Sequence, residues 1–379
     1  MRPGVMDRFD GLADRFLADI EPLKAAGTLV VGLYCTYAPV ELVRAAGAVP
    51  VGLCGKKQEP IAAAERTLPA SLCPLIKSSY GYAVTDTCPY FSASDLLVGE
   101  TTCDGKKKMY EFLGRIKPLH LMQLPAMVGP AQDAYWLGEV RRFKEFLEER
   151  SGRTITDAAL AEEIAVQNEV RRLLHKVLAT SRAAAVPLSG LDAMLVTEAR
   201  SFTADPNAYA AVLRELLAEL EAMAASGASF APAEARRILL TGCPVGRGSD
   251  KLVRLVEQCG GVVVASENCS GVKGFDGLVD ETGDPLEAIA RRYLRIPCSV
   301  MTPNAGRLAL LDELVQAMRP QGVIDLTWQF CHTYNVESPI VADHLRHQHG
   351  LPTLHLETNY ADADTEQLRT RVEAFLEML

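Results

Sequence analysis

Short apolar runs alternate with helical spacing in two parts of the chain, and a long stretch of purely helical period separates them. In the first part, Thr28–Leu33 (TLVVGL) is a continuous apolar run of strand length. Pro39–Ala46 (PVELVRAA) carries the spacing of the helix that follows, and Gly47 closes it. Val49–Leu53, Asp95–Gly99 and Pro118–Pro125 repeat the short apolar run. Uninterrupted apolar strands between helices predict a parallel sheet covered on both faces. From about Gln132 to Ala225 the pattern turns into charged, Ala- and Leu-rich segments such as LGEVRRFKEFLEER, which predict a packed helical layer with no chemistry of its own. A second alternating unit begins with RILLTG at Arg237 and continues through Gly260–Ser266, Arg295–Met301, Gly322–Trp328 and Leu351–Glu357. The tail TEQLRTRVEAFLEML reads as a final amphipathic helix. The expected class is α/β, with an N-terminal domain over 1–131, a helical connection over 132–234 and a C-terminal domain over 235–379.

A chain of 379 residues is long enough for two domains that each bury a core. Its net charge of -9 argues against broad attraction to nucleic acid or anionic lipid. No apolar run approaches the ~20 residues of a membrane span, and the mixed-charge start MRPGVMDRFDGLADRFLADI is unlike a secretory signal. These features lead us to expect a cytoplasmic protein. Thiols are kept reduced there, so the ten cysteines point to metal or redox chemistry rather than to disulfide staples.

Position along the chain separates these cysteines. In open parallel sheets, ligands collect beyond the carboxyl ends of the strands. Cys35 follows TLVVGL by two residues, Cys243 follows RILLTG at once, and Cys269 and Cys331 each lie three residues past a strand run. Cys103 stands four residues past DLLVG, and Cys73 and Cys88 lie on the long segment leading into that run. Two domains facing each other across a cleft would bring these thiols together. Cys259, at the end of a helical run, reads as packing, while Cys54 and Cys298 stay open. No CxxC or CxxH pair of a zinc site occurs, nor a ferredoxin CxxCxxC run. Isolated thiolates from distant loops suit an iron–sulfur cluster held between domains.

The runs CTYAPVELVRAAGAVPVGLCG, LCPLIKSSYGYAVTDTCPYFSASDLLVGETTCDGKKKMYE, TGCPVGRGSDKL, ENCSGVK and DLTWQFCHTYNVES together resemble the superfamily of 2-hydroxyacyl-CoA dehydratases and benzoyl-CoA reductases, and within it most resemble the double-cubane cluster proteins. The resemblance covers nearly the whole chain and is weakest in the helical middle. It implies two Rossmann-like parallel-sheet domains joined by a helical segment. It further implies a four-iron cubane on Cys73, Cys103 and Cys331, within a double cubane of eight irons and nine sulfurs (8Fe-9S) with six cysteine ligands. By position, Cys35, Cys243 and Cys269 are the expected second triad, with Cys88 and Cys298 in reserve. A separate ATP-hydrolysing iron–sulfur activator and a homodimer are also implied. The absence of a GxxxxGK[ST] loop agrees with ATP hydrolysis elsewhere, and Gly242–Gly248 reads either as a weak anion cradle or as the turn that presents Cys243.

Beside the thiols, His332 and Glu100 are candidate proton donors, with a sulfur or carbonyl partner the alternative for His332 and a structural cap for Glu100. Lys106, Lys107 and Lys108 read as a solvated helix start, with docking of the activator or a phosphate as the functional alternative. His344, His347 and His349 lack the i, i+4 spacing of a helical zinc pair and read as a surface helix end. The expected function is a reductase whose cluster, charged by the activator, passes low-potential electrons to a small substrate. The alternatives are a dehydratase subunit with a single 4Fe-4S cubane, an electron store, and a thiol-rich scaffold without a cluster.

Overall fold

The computed structural model describes all 379 residues. The first sheet comprises β1 (Val30–Leu33), β2 (Val49–Gly52), β3 (Leu96–Glu100) and β4 (Leu119–Met122). The second comprises β5 (Arg236–Gly242), β6 (Gly261–Ser266), β7 (Gly322–Trp328) and β8 (Thr353–Thr358). The strand orders are β2-β1-β3-β4 and β6-β5-β7-β8, and every pairing is parallel. The fold is α/β with two Rossmann-like domains, as the apolar runs predicted. In each sheet the strand order reverses between the first and third strand, β1 and β3 or β5 and β7. Such a reversal opens a crevice where ligands bind.

One predicted strand is absent: Arg295–Met301 forms turns. Pro297 offers no N–H to a ladder, and the Cys298 N–H donates back to Ile296 O at 2.9 Å and the Met301 N–H to Cys298 O at 3.0 Å. The segment has left its own sheet. Tyr37 donates to Ile296 O at 2.6 Å, and Ile296, Cys298 and Met301 are buried in the core of the first sheet. Its apolar residues suited a strand equally well, because they are buried between domains rather than within a sheet.

The helical middle is divided between the sheets. The helix Pro130–Ser151 packs Trp136, Val140 and Phe143 onto the first sheet, and the helices Asp157–Thr180 and Pro206–Ser226 pack Leu173, Leu174, Leu213 and Leu216 onto the second. The opening residues Val5, Met6 and Phe9 also join the core of the second sheet. A further core is built from both domains, with Tyr34, Leu53 and Leu97 in the same cluster as Val245, Leu326, Trp328 and Tyr360. No helix is long and apolar enough to cross a membrane.

A buried ion pair ties three parts of the chain together. Arg171 Nη2 meets Glu41 Oε1 at 2.6 Å, and Tyr293 donates to Glu41 Oε2 at 2.7 Å. Burial alone would raise the Glu41 carboxyl, but the Arg171 and Arg292 guanidiniums hold it below the usual carboxylate range. Removing one partner leaves an uncompensated buried charge, so Glu41→Ala is expected to cost about 3–5 kcal/mol, seen as a lower denaturant midpoint. Because the folded value is depressed, this contribution is present above the ordinary carboxylate range and lost as the pH falls through the folded value. The variant should therefore lose less stability on acidification than the parent.

Candidate functional site

A cavity of about 540 Å³ opens between the domains at the carboxyl ends of the strands, and eight of the ten cysteines line it: Cys35, Cys54, Cys73, Cys103, Cys243, Cys269, Cys298 and Cys331. The strands flanking the two reversal points deliver four of them, with Cys35 beyond β1, Cys103 beyond β3, Cys243 beyond β5 and Cys331 beyond β7. Two cysteines lie off the wall. Cys88 packs against the shared core before the short helix Pro89–Ala93, and Cys259 closes the helix Lys251–Gln258 with its sulfur 3.8 Å from Glu373 Oε1.

Cys73, Cys103 and Cys331 each stand at the N-cap of a helix of ten residues or more: Pro74–Thr85, Asp104–Leu113 and His332–His349. Three positive helix ends thus converge on the cavity. The free N–H groups and the dipole at such an end favour an anionic sulfur. Cys331 is also close to Cys243 and Cys73, and these neighbours hold its thiol well below the ordinary value. The partners move the other way, Cys73 raised by Cys331 and by burial, and Cys243 by burial and by Cys331. The Trp328 N–H donates to Cys243 Sγ at 3.3 Å, so that sulfur already has a backbone partner.

A second group of thiols lies where Cys35, Cys269 and Cys298 are near enough to influence one another. Burial pushes Cys35 well up, against the pull of Lys106, and burial together with Cys269 pushes Cys298 up to about 12. Cys298 thus lies within electrostatic reach of Cys35 and Cys269, and Cys243 lies beside Cys73 and Cys331. All five thiols placed beyond strand ends reach the cavity, and Cys54, Cys73 and Cys298 join them there.

Glu100 is fully buried, with Oε1 accepting the Ala38 N–H at 3.0 Å and Oε2 without a partner; burial lifts its carboxyl to about 7. It is not on the cavity wall. His332 is on the wall and exposed to solvent. Lys106 departs from the solvated helix start expected of it. It is buried, with Nζ donating to Tyr34 O at 2.9 Å, while the Lys107 and Lys108 side chains remain exposed. Cys54 donates to the same carbonyl at 2.9 Å, which accounts for it as a structural thiol.

Sequence reasoning missed the arginines. Arg44, Arg171, Arg200 and Arg292 all reach the wall, two of them from the helical middle to which no chemistry had been assigned. Arg200 is held by the carbonyls of Thr197, Ser270 and Cys269, and Arg292 by those of Gly277, Gly274 and Asp276. Neither forms an ion pair with a carboxylate. Burial depresses both guanidiniums, Arg292 to about 10. The buried Arg292 and half-buried Arg200, on the same wall as a set of soft sulfur donors, fit an anionic, thiolate-bound iron–sulfur cluster, since its charge would offset theirs. No sequence signal separates these arginines from the solvated ones on the same helices.

The model of a known family, "2-hydroxyglutaryl-CoA dehydratase, D-component", matches residues 35–379. The chain belongs to this family. YjiM of Escherichia coli (strain K12), named as a candidate dehydratase subunit, is 44% identical over 378 residues, covering 100% of this chain and 98% of that protein. The (R)-phenyllactyl-CoA dehydratase beta subunit of Clostridium sporogenes is 22% identical, covering 94% and 93% of the two chains. One of the subunits of benzoyl-CoA reductase from Thauera aromatica is 22% identical, covering 83% and 81%. The family spans dehydratase and reductase components, so membership supports an enzyme-related role for this dehydratase-family protein.

The turn that presents Cys243 depends on Gly242. Its φ is +102°, and an added Cβ would lie 2.1 Å from Leu326 O. Gly242→Ala in this family member is expected to combine left-handed strain with a backbone clash and cost more than about 2 kcal/mol, measured by denaturant unfolding.

Proposed function

We propose that the protein is an iron–sulfur reductase that holds a double-cubane 8Fe-9S cluster between its two domains. Six thiols would hold it. Cys73, Cys103 and Cys331 at the three helix N-termini form one triad, and Cys35, Cys269 and Cys298 form the other. Cys243 lies beside the first triad, with its sulfur accepting the Trp328 N–H. The observation that carries this reading is the convergence of eight reduced thiols from both domains on one cavity, where a single cubane would use three.

When bound, such a cluster supplies low-potential electrons; ligation, burial and access are the work of the protein. The three helix ends, Lys106, Arg200 and Arg292 would hold an anionic centre in place. His332, on the wall and open to solvent, is the better placed of the two candidate proton donors. Glu100 lies behind the wall and would set the field around Cys35 and Lys106. Electrons would come from a separate ATP-hydrolysing iron–sulfur activator, in keeping with the absence of a phosphate loop here. A cytoplasmic homodimer acting on a small substrate completes the reading.

A second reading has a specific observation in its favour. Two relatives are named as beta subunits of dehydratases, (R)-phenyllactyl-CoA dehydratase and lactoyl-CoA dehydratase. On that reading the chain carries one 4Fe-4S cubane on Cys73, Cys103 and Cys331 and works beside a different subunit. An electron store would use the same six ligands as the reductase. It differs in reducing no substrate.

Iron and acid-labile sulfide per chain, measured on anaerobically purified protein, separate one cubane from two. The proposal expects eight irons and nine sulfides, whereas four of each would sink it in favour of the dehydratase subunit. Cys103→Ser and Cys298→Ser should each leave far less iron, while Cys88→Ser and Cys259→Ser, off the wall, should leave it unchanged.

A further inference from the structure

A second set of metal-binding side chains lies at the far end of the helix that Cys331 begins. His344 and His349 sit in the last two turns of His332–His349, and Asp312 sits on the neighbouring helix Ala305–Met318. His344 Nε2 is 2.7 Å and His349 Nε2 2.6 Å from the same oxygen, Asp312 Oδ1. All three donor atoms lie within 4.8 Å of one another. The two imidazoles meet at 68°, with side-chain exposures of 19% and 17%, while Asp312 at 34% leaves a way in from solvent. Burial would raise the Asp312 carboxyl, but the two imidazoles hold it below the usual carboxylate range.

We propose that Asp312, His344 and His349 form a binding site for a divalent transition-metal ion of the zinc class, distinct from the thiol cavity. Two imidazole nitrogens and one carboxylate oxygen are a donor set of borderline hardness that suits Zn²⁺, and three protein ligands leave the fourth tetrahedral position to water. Hydrogen bonding alone has no need of convergence, since each imidazole could take its own carboxylate oxygen. Here both nitrogens face Oδ1 at hydrogen-bond distance, and on taking up the ion each would part from it to about 3.3 Å, the separation that bonds of about 2.0–2.1 Å set in a tetrahedral shell. The ion would clamp the two helices together. An 18-residue helix is ~27 Å long, so the site is remote from Cys331 and its occupancy does not depend on the cluster reading.

Sequence spacing concealed the site. His344 and His349 are five residues apart, and Asp312 comes from a different helix. His347, the imidazole between them, is exposed and takes no part.

The test is equilibrium dialysis of the anaerobically purified, cluster-loaded protein against zinc chloride, with zinc-edge X-ray absorption on the product. The expected result is about one zinc per chain held by nitrogen and oxygen at about 2.0–2.1 Å, with no sulfur at about 2.3 Å. Asp312→Asn keeps the shape and a hydrogen-bonding oxygen but loses the anionic ligand. It should weaken zinc binding beyond the roughly 10- to 100-fold penalty of losing a supporting group, as should His344→Ala, with iron content unchanged. His347→Ala should bind zinc like the parent. Zinc should also raise the melting temperature of the parent and not that of Asp312→Asn. Equal zinc binding by the parent and Asp312→Asn, no zinc at all, or sulfur in the zinc shell would overturn the site.

Discussion

In a parallel sheet all strands run the same way, so every strand end opens onto the same edge, and whatever follows the strands is collected there. This protein repeats the constraint twice and sets the two edges against a common cavity. The loop after each of β1, β3, β5 and β7 carries a cysteine, and the helices that start beyond three of the strand and loop segments begin at Cys73, Cys103 and Cys331. Backbone direction therefore does two things at once. It gathers soft donors that are up to about three hundred residues apart in the chain, and it aims positive helix ends at them.

Holding charge in such a place requires an interior that tolerates it. Lys106 is anchored by the Tyr34 carbonyl, and Arg200 and Arg292 are anchored by backbone carbonyls, so each is held inside without a direct ion pair. Arg171 and Lys273 are instead paired directly with carboxylates. Glu41 with Arg171, and Glu267 with Lys273 at 2.6 Å, are closed ion pairs far less available to a ligand. The set of carbonyl-held cations is what the cavity offers an anionic ligand. The helical middle also has a part in the site, because Arg171 and Arg200 reach the wall from it.

Much of the architecture was legible because its signal is local. Apolar runs such as RILLTG and GVIDLTW became β5 and β7, and the cysteines placed beyond strand ends reached the cavity. The misreadings share one cause. Arg295–Met301 has the composition of a strand but is buried against the other domain's core, and Lys106 belongs to a basic run but points inward. In each case burial comes from a segment distant in sequence, which periodicity cannot register.

The sequence by itself determined the α/β class, the two parallel sheets, the family and the pool of thiols, since these follow from short-range pattern and from motifs that lie within one loop. Tertiary structure decided that Cys54 and Cys298 join the thiols on the cavity wall, which cations share that wall, and that Asp312 meets His344 and His349. Those outcomes depend on the angle and depth at which separate helices and loops pack, and side-chain direction in a folded chain is set by its neighbours in space.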